Sequence, residues 1–141
     1  MCLFCEIANK RVPSVIVWED ADIMAFLDIH PIREAHCQIM PKAHYETFED
    51  VPASVMTELV AAAQRLAKRM KQVYTVDRVA FLFTGGDVPH AHAHLLPMHE
   101  KTDITSVRYI LNDEPLRYGE AHLHADTDTL KRVRRQLDFS V

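Results

Sequence analysis

Residues 52 to 74 carry apolar side chains at helical spacing, in a chain whose other apolar runs are short and strand-like. Val55, Leu59, Leu66, Met70 and Val73 recur at three-, four- and seven-residue steps, with Ala62 and Ala63 between them and Pro52 near the first turn. This period predicts one long amphipathic helix. Arg65, Lys68, Arg69 and Lys71 crowd its C-terminal half, where positive charge suits the helix dipole. A solvated helix face accounts for them better than a nucleic-acid patch does. Ahead of the helix, "SVIVWED", "DIMAFLDI" and "AHCQIMP" read as three strands, the last stopped by Pro41. Behind it, "RVAFLF" and "HAHAHLLP" read as two more, joined by the tight connection "TGGDVP". The expected architecture is α+β: an antiparallel sheet of about five strands with one long helix packed on it. In the less regular tail, "TDTLKRVRRQLDF" reads as a short final helix, acidic at its start and basic later.

A chain of 141 residues fits a single domain over 1–141 and can bury a core. Its longest apolar stretches, "VAFLF" and "LVAAA", fall far short of the roughly 20 residues that span a bilayer, so no membrane partner is expected. The formal net charge of −4 argues against a nucleic-acid polymer as main partner. "MCLFCEIANK" has no basic segment followed by an apolar one, so no secretory signal is read and a cytoplasmic location is expected. The three cysteines, Cys2, Cys5 and Cys37, are an odd count and a poor disulfide framework. Cys2 and Cys5 have the two-residue gap of zinc knuckles and redox motifs, a weak signal that needs further ligands from elsewhere.

Three of the nine histidines, His90, His92 and His94, alternate with small or apolar residues in "VPHAHAHLLP". In a strand, alternate side chains share a face about 6.6 Å apart, so the three imidazoles would stand in a row. Ala91, Ala93 and Leu95 would then fill the other face, close under the long helix. Three readings compete. The imidazoles could be core groups satisfied by backbone partners, although burying three of them is less favourable than burying three apolar residues. They could ligate a metal, although the outer pair of a flat row would lie roughly 13 Å apart. Or one could attack an electrophile while its neighbours position substrate and manage protons. Gly85 and Gly86, which let backbone N–H groups approach an anion, favour the last reading and phosphoryl or nucleotidyl transfer.

"HAHAHLL" resembles the His-x-His-x-His-x-x motif of the histidine triad (HIT) superfamily. "CLFCEI", "AFLDIHP" and "HCQIMPKAH" resemble that family's segments in the same order, so the likeness covers roughly residues 2–99, with 100–141 a variable C-terminal segment. The resemblance implies a HIT-like fold, a homodimer and a purine nucleotide substrate. It implies a hydrolase of nucleotide phosphoanhydride or phosphoramidate bonds, in which His92 attacks the α-phosphorus and water releases a nucleoside monophosphate. By the same likeness His94 contacts the phosphate or holds the network, and His36 belongs to the same polar cluster. Asp28 matches the acceptor for the ribose hydroxyls, and Leu3, Phe4, Ile7, Phe26 and Ile29 match the walls around the base. Read without the resemblance, those apolar residues are plain core. Cys2, Cys5, His44 and His90 match a structural zinc site of some bacterial-type members. The rival from another class is a catalytically weak nucleotide-binding or zinc-stabilised interaction protein.

The approach to the triad departs from the family pattern. Gly86 stands where a phosphate-holding glutamine is common, Asp87 where serine or threonine is, Ala35 where glycine is, and Met98 where an arginine often follows the proline. These departures point to altered substrate choice and leave the nucleophile in place. "AHLHAD" holds another His-x-His pair, His122 and His124, read as an exposed loop or strand, or else as the mouth of the site or a second metal position.

Overall fold

The computed structural model describes residues 1–103, 110–111 and 117–138. A short helix, Leu3–Ala8 (α1), precedes two strands, Ile16–Glu19 (β1) and Ile23–Leu27 (β2). Asp20 sets the turn between the strands: its carboxylate accepts the backbone N–H groups of Asp22 and Ile23 at 2.9 and 2.8 Å. Cys37–Pro41 (β3) pairs with β2, and the long helix Ala53–Tyr74 (α2) follows, stopped by Thr75 in the left-handed region. Arg78–Phe83 (β4) and Ala93–Met98 (β5) complete an antiparallel five-stranded sheet in the order β1-β2-β3-β5-β4. Ile110–Leu111 (β6) and Arg117–Tyr118 (β7) form a separate two-stranded ribbon, and Thr127–Leu137 (α3) closes the described chain. The fold is α+β, as expected from the change of period along the sequence.

Side-chain alternation divides the sheet into two faces. Ile23, Ala25 and Leu27 of β2, Cys37 and Ile39 of β3, and Ala93 and Leu95 of β5 turn toward α2 and meet Leu59, Ala62, Ala63, Leu66 and Met70. Ala93 lets the helix approach closely, as the small residues between the histidines suggest. Leu59, Leu66 and Met70 are fully buried, each stabilising the fold by roughly 1.5–3 kcal/mol. Met24, Phe26 and Met40 turn the other way, onto Phe4 and Ile7 of α1. Both faces of β2 and β3 are therefore covered, which is why those strands read as nearly unbroken apolar runs.

The tail helix forms over 127–137, capped by Asp126, whose carboxylate accepts the Thr129 N–H at 2.7 Å. The expected last residue, Phe139, lies outside the described residues. Leu130, Val133 and Leu137 enter the same core as α2. Arg69, read from sequence as part of a solvated face, donates from Nε to the Leu137 carbonyl at 2.8 Å and satisfies the end of α3.

Ala35 adopts φ +72° at a position 3% exposed, just before β3. An L-residue with a Cβ is strained there by about 1–2 kcal/mol, and glycine is not. Ala35→Gly is expected to raise stability by up to about 1 kcal/mol after the added freedom of the unfolded chain is subtracted. A urea midpoint below wild type at unchanged slope would refute the strain.

Candidate functional site

The triad does not lie in one strand. Pairing with β3 begins only at Ala93, and the Ala91 N–H donates instead to the Tyr45 carbonyl at 2.6 Å, in the segment after β3. The expected row of imidazoles on one strand face is therefore corrected: His90 and His92 precede β5, and only His94 belongs to it. Each ring then meets different partners.

His90 turns toward the N-terminal cysteines. Its Nε2–H donates to the Pro41 carbonyl at 2.8 Å, because a carbonyl can only accept, so Nδ1 carries the lone pair. That Nδ1 lies 3.5 Å from Cys2 Sγ and 3.6 Å from Cys5 Sγ, and Cys5 Sγ lies 3.3 Å from His44 Nδ1. All four donor atoms fall within 4.8 Å of one another. A tetrahedral zinc with ordinary bond lengths has a sulfur–nitrogen edge of about 3.6 Å, so the donors fit that ion. The Pro41 carbonyl supplies the outer hydrogen bond that fixes the orientation of a ligating histidine. Cys2 precedes α1 and Cys5 sits in its first turn, so the helix itself brings the two thiols to one side. Burial, the neighbouring Cys2 and Glu6 hold the Cys5 thiol above its usual pKa, with Arg11 opposing.

His92 is buried beneath Phe4, whose ring meets it edge-on at 4.9 Å. Its Nδ1–H donates to the His90 carbonyl at 2.6 Å, so the neutral ring keeps its lone pair on Nε2. His94 stands beside it, ring centres 5.3 Å apart.

A second cluster fixes the protons on His94. The Ile32 N–H donates to His36 Nδ1 at 3.2 Å, which places the proton of a neutral His36 on Nε2. That Nε2–H donates to His94 Nδ1 at 2.9 Å. His94 therefore carries its own proton on Nε2, 3.2 Å from the Thr84 hydroxyl. Asp28, His36 and His94 also have donor atoms close enough to suggest a metal. The proton positions oppose one, because His36 has no lone pair left to give. Burial lowers the His36 pKa against the pull of Asp28. Burial, then His36 and His92, lower that of His94 to about 4, with Asp28 again opposing.

This has a consequence for acid stability. An unfolded histidine titrates near 6.5, so between pH 6.5 and about 4 the unfolded chain binds a proton that folded His94 refuses. Stability then falls as pH falls through that window. His94 alone is expected to remove about 1.5 kcal/mol between pH 6.5 and 5, above the range where carboxylates protonate. Urea midpoints measured across that interval should drop in wild type and drop less in His94→Asn. Equal slopes in the two proteins would contradict the proton assignment.

The residues expected around a nucleoside divide into two groups. Phe4, Ile7 and Phe26 are buried and pack with Met24 and Met40, Phe4 meeting Phe26 edge-on at 5.4 Å. Leu3 and Ile29 are each 49% exposed and are free to face a ligand. Asp28 lies inside the polar network: Oδ1 accepts the His30 N–H at 2.7 Å and Oδ2 accepts from Gln38 Nε2 at 2.6 Å. Gly86 and Asp87 are exposed in the loop before the triad, and a Cβ added at Gly86 would meet nothing within 4 Å. The sequence alone does not mark Gln38 or Thr84 as site residues. The one local signal for Gln38 is its place two residues after His36.

His122 lies on an exposed turn, Ala121–Leu123, and the exposed His124 ring meets that of His30 at 5.5 Å. His30 Nδ1 is 3.3 Å from Glu120 Oε1. Among the described residues neither possible metal group includes His122 or His124.

Residues 9–101 match the family model described as the HIT domain. The chain belongs to the HIT family. An uncharacterised HIT-like protein of Methanocaldococcus jannaschii is 32% identical over 138 residues, 95% of this chain and 99% of its own. The adenosine 5'-monophosphoramidase of Saccharomyces cerevisiae is 37% identical over 101 residues, 71% of this chain and 64% of the yeast protein. A zinc-bound histidine triad family protein of Mycobacterium smegmatis shares the fold with a TM-score of 0.70 at 23% identity, over 96% of this chain and 92% of that one. No helix among the described residues of this HIT protein is long and apolar enough to cross a membrane.

Proposed function

We propose that this HIT protein hydrolyses a nucleoside phosphoramidate or phosphoanhydride and releases the nucleoside monophosphate through a covalent intermediate on His92. One observation carries the reading: the His90 carbonyl holds the proton of His92 on Nδ1 at 2.6 Å, leaving Nε2 as a lone pair aimed away from the backbone. In the first step Nε2 forms a bond to the α-phosphorus as the bond to the leaving group breaks. In the second, water attacks phosphorus and the imidazole departs. His94 Nε2–H, displaced from Thr84, donates to a phosphate oxygen, and His36 keeps that donor in place. Asp28 faces the ribose and the exposed Leu3 and Ile29 border a purine base, over the floor made by Phe4, Ile7 and Phe26.

The phosphoramidate is the favoured class of substrate. The loop over residues 84–89 brings a carboxylate, Asp87, and no side-chain cation, which disfavours a long polyphosphate leaving group. The yeast relative, an adenosine 5'-monophosphoramidase, agrees with this choice. Intact-protein mass spectrometry after rapid, acid-free quenching with an adenosine phosphoramidate and with a dinucleoside polyphosphate tests the reading. A nucleotidyl adduct is expected in wild type and not in His92→Ala. Absence of both adduct and nucleoside monophosphate would leave a nucleotide-binding protein in its place.

Cys2, Cys5, His44 and His90 would hold one zinc ion, and the zinc-bound mycobacterial relative accords with this. When bound, the ion supplies a structural tie among the N-terminus, the segment after β3 and the start of the triad. A thiolate pair of this kind suits a reducing, cytoplasmic compartment. Homodimerisation is supported by β4, which forms one edge of the sheet and carries exposed Phe81 next to Phe83, whose ring meets that of exposed Phe48 at a tilt, 5.5 Å between centres.

A further inference from the structure

Gln38 is 6% exposed, the second residue of β3 and directly opposite His94 of β5 in the strand register. Its amide nitrogen lies 2.6 Å from Asp28 Oδ2 and 3.2 Å from His94 Nδ1. Its carbonyl oxygen is buried with no hydrogen-bond partner among the described residues. The reverse orientation of the amide is excluded on chemical grounds, since it would set an oxygen 2.6 Å from a carboxylate and against the lone pair of Nδ1. An orphaned buried carbonyl is unfavourable, and an apolar side chain of equal length would avoid that loss. What holds a glutamine here is the pair of bonds donated by its amide nitrogen, to Asp28 and to His94.

We propose that Gln38 is a positioning residue that binds the nucleoside-facing carboxylate, Asp28, to the phosphate-facing imidazole, His94, and keeps the His94 proton on Nε2. Two donors converge on one lone pair, since His36 Nε2–H reaches the same Nδ1 at 2.9 Å. With both in place His94 can offer only an N–H outward, which is what an anionic phosphate oxygen requires. The second amide hydrogen holds Asp28 by its Oδ2 while the His30 N–H holds Oδ1, so one side chain sets the spacing between the two ends of the substrate. Gln38 does not touch the reacting atoms. It acts through Asp28 and His94, and this inference rests on the hydrolase reading for the identity of what they bind.

The test compares wild type with Gln38→Met, equal in length and without donors, and Gln38→Glu, whose carboxyl donates only when protonated. Imidazole nitrogen NMR of free protein reads His94 directly. Wild type is expected to show a protonated Nε2 and a hydrogen-bonded, unprotonated Nδ1 from pH 5 to 8. In Gln38→Met the Nδ1 keeps the His36 donor alone, so its signal should move part of the way toward that of an unbonded acceptor, while the melting temperature stays near wild type. Turnover of an adenosine phosphoramidate should fall roughly ten- to a hundredfold in kcat, with KM for the nucleotide raised as Asp28 is released. Gln38→Glu should be weak near pH 8, where its charge opposes Asp28, and recover as the pH falls. Asp28, His36 and His94 are the titratable groups that face it. Unchanged His94 nitrogen signals in both variants would overturn the proposal and make Gln38 a packing residue. The NMR measurement needs no substrate, so a wild-type protein without turnover would sink the hydrolase reading alone and leave this one to be judged on the nitrogen signals.

Discussion

His92→Ala is expected to lose about 10⁴-fold or more in kcat/KM for an adenosine phosphoramidate while still binding a nucleoside monophosphate. Removal of the nucleophile from a preorganised site leaves only binding and electrostatic stabilisation, and the residual rate reflects these alone. The size of the loss follows from the geometry. No second imidazole can substitute: the Nδ1 of His94 is occupied by His36 and Gln38, and its Nε2 is protonated. His90 has its Nε2 on Pro41 and its Nδ1 among the cysteines. Single-turnover assays with an equilibrium binding measurement check both halves. A loss below tenfold would mean that phosphorus is attacked by water directly and that His92 is a bystander.

Metal removal is expected to produce the second large effect. Loss of the tie among Cys2, Cys5, His44 and His90 should destabilise the fold by about 3–5 kcal/mol, or lower the melting temperature by about 15 °C. The five-stranded sheet retains its own core, so the chain should still fold. Native mass spectrometry is expected to find one zinc per chain in wild type and in Asp28→Asn, and none in Cys5→Ser. Calorimetry with and without a chelator then gives the change in stability. A wild-type protein that contains no zinc, and whose melting temperature does not rise when zinc is supplied, would refute the assignment. Phe4 lies between the two cysteines and packs on His92, and the His90 carbonyl orients the same ring, so metal loss should also slow turnover.

The sequence made the sheet, the long helix and the small residues beneath it legible because each repeats over many positions. α1 was not legible: six residues do not establish a helical period, and the pair of cysteines drew attention to redox or metal chemistry instead. The row of histidines misled for a related reason. Alternation predicts shared faces only while the backbone remains a paired strand, and the Ala91 N–H leaves the sheet for the Tyr45 carbonyl. Gln38 looked like an ordinary polar strand residue. Its role depends on Asp28 and His94, ten and 56 residues away, and no local pattern records those contacts. The resemblance points to Asp28 and carries nothing of its attachment to Gln38.

The match to the family model stops at residue 101, but the loop that carries Asp28 is fastened from beyond it. The Ala125 N–H donates to the Ile29 carbonyl at 2.7 Å, and Arg132 reaches Glu34 at 2.7 Å. Leu130, Val133 and Leu137 of α3 complete the core under β1 and α2. The boundary of the family model and the boundary drawn by mechanics therefore differ. Grafting or trimming this protein at the edge of the family model would separate the loop that carries Asp28 from its anchor, so the smallest transplantable unit extends at least to residue 137.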